Sequence, residues 1–439
     1  MTRTLLIFAD DMRADLLRWM PFTRGTLAVE GTTFEHAYCN VPVCQASRVA
    51  ILTAQYALHS GIYENYQQTE WATGYTDTIG TWAQSGGATT GIFGKVPNGY
   101  RRDEPRPGWT APNWRVFTNQ EQENLTYSLS DGIGGTAVLG TPALPTVAAL
   151  VEDFMVNTVG DVFGWWNPSN PHINTSTFTQ NPTAAALQQV AMVVWDLDLL
   201  TAPYLADKPT WIAGSLEKSL AEQSYMRWAI RNQIRECIDL DNAIADLYAA
   251  LDVAGLLEST NIIFTSDGGV FYGEQRSGNV YTSSKDSPYE PASHIPLIAR
   301  GPDFPFGHYC VTPVTLQDVS ATILELHGGT PPSLTPDGVS LLDAVANPDP
   351  DRVILYERSD PVNAGLYQPD GQGVFDSRYK MVRWIDGTGN PPADFATNPD
   401  DEYEMYDLDS DPTEKVNVGN DPAYLVRRNA LEVELDALL

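Results

Sequence analysis

Two adjacent acids, Asp10 and Asp11, follow directly on the apolar run Thr4–Ala9. Successive side chains of a strand point to opposite faces, so both carboxylates can serve one ion only where the strand has ended. The run stops at Ala9. That places the acids at the carboxyl end of a strand, where open α/β sheets hold their ligands. Paired carboxylates there suit a hard divalent cation. Asp267 has the same setting, since it closes a second apolar run from Asn261 and opens the turn Asp267-Gly268-Gly269. If the two strands are parallel neighbours, three carboxylates meet at one sheet edge. Taken singly, each acid also has a plainer reading: a solvated strand end with a helix-capping Asp, and an ordinary turn Asp.

Cys44 and Arg48 make a second pattern. Cys44 falls just after Pro42, at the expected start of a helix. Backbone N–H groups and the helix dipole there favour anions and lower a thiol pKa. Arg48 lies four residues on, on the same helix face. A reactive group and a guanidinium so placed make an oxyanion site. The plainer reading is a buried structural cysteine beside a surface arginine.

These residues need elements to hold them. Thr4–Ala9 reads as a buried strand. Residues from Cys44 to Leu58 read as a helix with Val49, Ile51, Leu52 and Tyr56 on its apolar side. Residues 90–94 suggest another strand, and 97–112, rich in Pro, Gly and Arg, a loop. Residues 119–185 resolve into no clear element. A long helical pattern runs from about Leu216 to Leu251, with Gly255 suited to its end. Strands are expected at 261–267 and 295–300, and a helix at 315–326. Alternating strands and helices favour a parallel sheet covered on both faces. From about Pro332 the chain turns Pro/Asp-rich, with short strands at 353–356 and 379–384 and a terminal helix from about Pro422. The expected organisation is a catalytic domain over residues 1–332 and a smaller C-terminal α+β subdomain over residues 333–439.

The run Val41-Pro42-Val43-Cys44-Gln45-Ala46-Ser47-Arg48, followed by Leu52-Thr53 and Gly61, resembles the sulfatase motif Cys-x-Pro/Ala-x-Arg with its Leu-Thr-Gly continuation. Leu5–Asp11 resembles that family's opening strand and Asp-Asp pair. Gly94-Lys95-Val96-Pro97-Asn98-Gly99-Tyr100 and Pro107-Gly108-Trp109 are similar to segments of the glucosamine-6-sulfatases. Phe163–His172, Asp207–Ile212, Leu240–Glu274, Lys285 with Tyr289-Glu290, and Tyr406–Asn417 have counterparts in the same order, so the resemblance covers nearly the whole chain.

The resemblance implies an alkaline-phosphatase-like α/β fold, with a mixed, mainly parallel sheet flanked by helices. It implies hydrolysis of a sulfate ester, in the nearest cases of a sulfated sugar. In that family the motif cysteine is oxidised to formylglycine by a formylglycine-generating enzyme. The hydrated aldehyde attacks sulfur, the alcohol leaves, and the second hydroxyl expels sulfate. By the same resemblance Asp10, Asp11, Asp267 and modified Cys44 would bind Ca²⁺ or another divalent cation, and Arg48 would hold the formylglycine hydrate. Lys95, Asn98 and Lys285 would contact substrate, and His172 or Lys285 would protonate the leaving alcohol. Three positions depart from the pattern. Gly268 stands where relatives carry Asn or His as a further metal ligand, Ala46 replaces the commoner Pro, and Pro97 stands where many members have His. Alternatives are a phosphonate monoester hydrolase or phosphodiesterase on the same fold, and a catalytically silent binder of a sulfated ligand.

Composition narrows the partners. The 439 residues carry 56 acids against 26 Lys and Arg, a formal charge of −30. Such a chain repels nucleic acid and anionic membranes, which require basic patches. An anionic substrate needs a locally positive pocket. No apolar run reaches the ~18 residues of a membrane span. Four cysteines cannot staple a chain of this size, and Cys39, Cys237 and Cys310 are expected to be buried thiols. The N-terminal apolar run is too short for a secretory leader, so the expected location is cytoplasmic.

Overall fold

The computed structural model describes residues 1–65, 67, 76–98, 106–109, 112–117, 127–130, 136–139, 142–173, 208–209, 219–276, 285–329, 333, 335–358, 370–385 and 403–439. Of the features singled out above, most of the expected 97–112 loop including Gly99 and Tyr100, parts of 119–185, most of 207–212, residues 216–218 and Pro332 lie outside them.

In chain order the large unit contains β1 (Arg3–Ala9), β2 (Gly31–Phe34), β3 (Ala37–Tyr38), α1 (Cys44–Thr53), α2 (Ala57–Ser60), α3 (Ile79–Ser85), β4 (Thr89–Gly94), β5 (Trp114–Phe117), β6 (Tyr127–Ser130) and β7 (Thr136–Leu139). It continues with α4 (Ala143–Asn157), β8 (Val162–Asn167), α5 (Leu220–Val253), β9 (Thr260–Ser266), α6 (Glu290–Ser293), β10 (Ile298–Arg300), β11 (His308–Cys310), β12 (Val314–Thr315), α7 (Leu316–His327) and α8 (Leu341–Ala346). Among the described residues, ten strands form one sheet in the order β11-β2-β10-β9-β1-β8-β4-β5-β6-β7.

β1 is central because every one of its residues is apolar enough, or well enough bonded, to be buried on both faces. Leu6 and Phe8 enter one core with Val49 and Ile51 of α1, Trp82 of α3 and Ile323 of α7. Leu5, Ile7 and Ala9 enter the other with Val151 of α4 and Ile234 and Leu240 of α5. The period of two thus builds three layers, helices on a sheet on helices. β8 and β9 flank β1 in parallel, whereas β10 runs antiparallel to β9 and β2. The sheet is therefore mixed and mainly parallel at its centre.

Two differences from the sequence expectation bear directly on the site and its core. β8 was not read, since its Gly and Trp pair resembles a loop in an Asn/Pro-rich stretch. All six of its residues are buried. Trp165 packs into one core and Trp166 into the other, and a Cβ on Gly164 would come within 2.8 Å of Met155 Sδ, so that side chain fills the space beside the glycine. The expected helix from Cys44 to Leu58 is two helices. Ala54 takes φ +56 and ends α1, and the buried carboxylate of Glu357 accepts from the N–H groups of Ala57 and Leu58 at 2.8 and 2.7 Å to start α2.

The C-terminal part is a separate antiparallel sheet, β13 (Ile354–Arg358), β14 (Asp370–Phe375), β15 (Tyr379–Ile385) and β16 (Tyr403–Asp407), in that order, covered by α9 (Leu425–Leu438) through Leu431 and Leu435. All four cysteines are buried free thiols. Among the described residues no helix is long and apolar enough to cross a membrane.

His327, the last residue of α7, bonds the Thr4 hydroxyl through Nε2 at 3.1 Å. Burial pushes its imidazole from the usual 6.5 down to about 4, against a weaker pull from Asp161. The unfolded chain therefore takes up a proton below pH 6.5 that the folded chain refuses until about pH 4. Stability present above pH 6.5 is lost as pH falls through that window, by about 3 kcal/mol. His327→Gln is expected to flatten this acid limb in urea unfolding followed from pH 7.5 to 4.5. An unchanged limb contradicts the assignment.

Candidate active site

The parallel register of β1 and β9 sets Ala9 opposite Ser266, so Asp10 and Asp267 leave the sheet side by side. Asp11 then takes φ +64, a left-handed conformation that costs a non-glycine residue about 1 kcal/mol and that Asp tolerates better than most. Its N–H donates to Asp267 Oδ1 at 2.8 Å. The strand has ended, as the alternation argument required, and the two adjacent carboxylates turn to one place.

Cys44 is the first residue of α1. Its Sγ lies 3.7 Å from Asp10 Oδ1 and 3.7 Å from Asp11 Oδ1. Ligand atoms of Asp10, Asp11, Cys44 and Asp267 all lie within 4.8 Å of one another. Arg48 is fully buried rather than a surface residue. Its guanidinium donates to Asp267 Oδ2 at 2.8 Å and to Asn167 Oδ1 at 2.9 Å, and lies 3.5 Å from Asp10. Lys95, one residue beyond β4, pairs with Asp10. Lys285 pairs with Asp11 and donates to Cys44 Sγ at 2.9 Å. His172 Nε2 stands 3.5 Å from Asp11 Oδ2. Asn98 donates to the carbonyl of Asn65, whose side chain in turn accepts from the Gln45 N–H. Gly268 has φ +137, a backbone open to glycine, and a Cβ there would meet Pro42 at 3.3 Å.

Burial opposes charge throughout the cluster, and pairing decides the outcome. Burial would raise the Asp10 pKa, but Lys95, followed by His172, Arg48 and Lys285, holds it far below the carboxylate range. Burial and the charge of Asp10 push Asp267 up to about 6, against the pull of Arg48. Lys95 and Lys285 are desolvated yet raised above the ordinary lysine value, chiefly by Asp10 and by Asp11 respectively. The helix-start argument for an acidic thiol does not survive. Burial pushes Cys44 up to about 12, because the two lysines only partly offset the desolvation that Asp267 and Asp11 reinforce. Burial thus favours the thiol over the thiolate at position 44.

The sequence reading missed Asn167, which ends β8 and buttresses Arg48. The available signal was a polar residue closing a short aromatic run. It also missed the support behind Lys285. The next residue, Asp286, has φ +57 and donates its N–H to Pro42 O at 3.1 Å. Arg358 of β13 grips it, with Nε 3.0 Å from Oδ2. No local pattern links residue 286 to residue 358.

The family profile described as Sulfatase matches residues 3–329. This chain belongs to the sulfatase family. The Extracellular sulfatase SULF-1 homolog of Drosophila melanogaster is 25% identical over 357 residues, 77% of this chain but only 31% of that protein. A protein solved in complex with its substrate D-glucosamine-2-N,6-O-disulfate superposes with a TM-score of 0.76 at 20% identity, covering 99% of this chain and 97% of that one. The phosphonate monoester hydrolase of Agrobacterium radiobacter gives 0.69 at 17% identity, covering 100% and 95%. At these identities the likeness to solved structures is one of fold. The cytoplasmic expectation conflicts with the extracellular fly relative. It rested on the first residues of the sequence, which form the central strand of the sheet and carry no information about compartment.

Arg48→Met leaves Asp267 and Asp10 buried without their guanidinium. The expected loss is about 3–5 kcal/mol of stability, read by denaturant unfolding in excess chelator. A loss close to zero contradicts the role of Arg48 as the central counter-charge.

Proposed function

We propose that the protein hydrolyses the sulfate ester of a saccharide, with residues 1–332 as the catalytic domain and 333–439 as a supporting subdomain. The observation that carries this reading is the buried convergence of Cys44, Arg48, Lys95 and Lys285 with three carboxylates at the end of the central strands. Membership of the sulfatase family supports it. The saccharide class is supported by the glucosamine disulfate bound by a protein of the same fold.

The donor set fits a divalent cation. Asp10, Asp11 and Asp267 offer three buried carboxylates, the oxygen ligands a hard cation prefers. Together with the residue at position 44 they would hold it, and the bound ion would polarise the sulfate group. Conversion of Cys44 to formylglycine would supply the nucleophilic oxygen that a neutral, buried thiol lacks. The remaining chemistry belongs to the chain. Arg48, fixed by Asp267 and Asn167, holds the side chain at position 44 in orientation from within its own helix. Lys95 and Lys285 bring two ammonium groups to the carboxylate cluster and offset the sulfate's charge in an otherwise acidic molecule. Lys285 or His172 gives a proton to the departing alcohol oxygen. Overall, one water is consumed, the ester S–O bond breaks, and alcohol and hydrogen sulfate are released. Asn98 is assigned to substrate contact at the rim.

The test compares an aryl sulfate, a phosphonate monoester and a phosphodiester as substrates of protein made beside a formylglycine-generating enzyme. The peptide carrying Cys44 is weighed in the same preparation. Sulfate turnover is expected to lead, the peptide to carry the mass of the aldehyde, and both Cys44→Ala and excess chelator to abolish the rate. A sulfate rate far below the other two assigns the site to phosphonate or phosphodiester chemistry. Full activity in Cys44→Ala removes the mechanism whatever the substrate.

A further inference from the structure

We infer that Gln233 and Tyr272 form a buried clamp on the Asp11 backbone that holds the Asp11 carboxylate in its metal-binding place. This rests on the reading of Asp10, Asp11 and Asp267 as cation ligands. An extended Asp11 would turn its side chain to the face opposite Asp10. The left-handed turn at φ +64 brings both carboxylates into one cluster with Cys44 and Asp267. Such a conformation persists only where the surroundings over-determine it.

Three hydrogen bonds hold the turn. The Asp11 N–H donates to Asp267 Oδ1 at 2.8 Å, and the Met12 N–H donates to Ser266 Oγ at 2.9 Å. Both partners belong to β9 or its end. The third comes from the helix layer. Gln233 Nε2, on α5, donates to the Asp11 carbonyl at 2.6 Å, and the Tyr272 hydroxyl donates to Gln233 Oε1 at 2.8 Å. The amide's orientation follows from its partners. A carbonyl only accepts, so the NH₂ must face Asp11, which leaves the amide oxygen for the tyrosine hydroxyl.

The placement is costly, which is why it carries information. Gln233 has no exposed surface and Tyr272 is 3% exposed. Ala229 and Cys237, one turn to either side of Gln233 on α5, are buried apolar residues. An aliphatic residue at 233 would continue their stripe without desolvating an amide. The glutamine instead reaches from that stripe to the backbone of a metal-binding residue. Neither Gln233 nor Tyr272 is placed against substrate, so both are positioning residues.

Calcium is titrated by calorimetry into chelator-stripped wild-type protein, Tyr272→Phe and the near-isosteric Gln233→Met. The thermal midpoint of each is recorded in excess chelator. Gln233→Met is expected to weaken calcium binding about tenfold or more, and Tyr272→Phe by a smaller factor, with the chelator midpoint of Tyr272→Phe lowered only modestly by the unpaired Gln233 oxygen. Lowered midpoints with wild-type affinity mark a merely structural role and overturn the clamp. Wild-type affinity in Tyr272→Phe overturns it even if Gln233→Met fails to fold. Wild-type protein that binds no calcium overturns the cation reading itself, which is visible before any variant is made.

Discussion

Three carboxylates buried within a few ångströms of one another repel, and a fold can keep them there only by surrounding them with positive charge. Much of the architecture around the site answers that constraint. β1 and β9 bring Asp10, Asp11 and Asp267 to one edge in parallel register. α1 delivers Arg48 from one side of the sheet, the end of β4 delivers Lys95, and the segment before α6 delivers Lys285. Each cation is desolvated, and each is held protonated by the acid it faces. The result is a nearly balanced nest of opposed charges beside a helix start.

The legible part of the sequence was the part whose signal is local. β1 and β9 are short apolar runs cut off by acids, and Asp10, Asp11 and Asp267 are those acids. Cys44 and Arg48 are spaced by one helical turn. These features specify the site's central residues without any knowledge of the rest of the chain. The signals failed where the determinant is tertiary. β8 carries a glycine and two tryptophans whose opposite faces fill opposite cores, a pattern that reads as loop until the layers exist. β14, with two glycines in six residues, and β16 were missed for a similar reason, since each is stabilised by its neighbours in the sheet more than by its composition. The thiol expectation failed because burial outweighed the helix start.

The small C-terminal sheet is tied to the site as well as to the fold. Arg358 of β13 grips the residue after Lys285. Lys380 of β15, fully buried, lies 2.8 Å from Glu290 at the start of α6 and 2.8 Å from Glu414. Lys208 reaches the Tyr406 hydroxyl at 2.7 Å, with the ring centroid 4.3 Å from its nitrogen. The segment bearing Lys285 is thus braced from a sheet that contributes no residue to the cluster itself. A side chain on a loop is positioned only as well as its supports.

The lysines have a consequence for how the molecule meets reagents. The chain has six of them, at positions 95, 208, 218, 285, 380 and 415. Of the five described, none is exposed: Lys208 and Lys380 are buried, and Lys95, Lys285 and Lys415 are half-buried. Apart from the amino group of the exposed Met1, the described residues offer little purchase to acylating labels, amine-directed crosslinkers or coupling resins. Those reagents would find much of the molecule's amine chemistry folded inward, where two of the lysines face the carboxylates of the site.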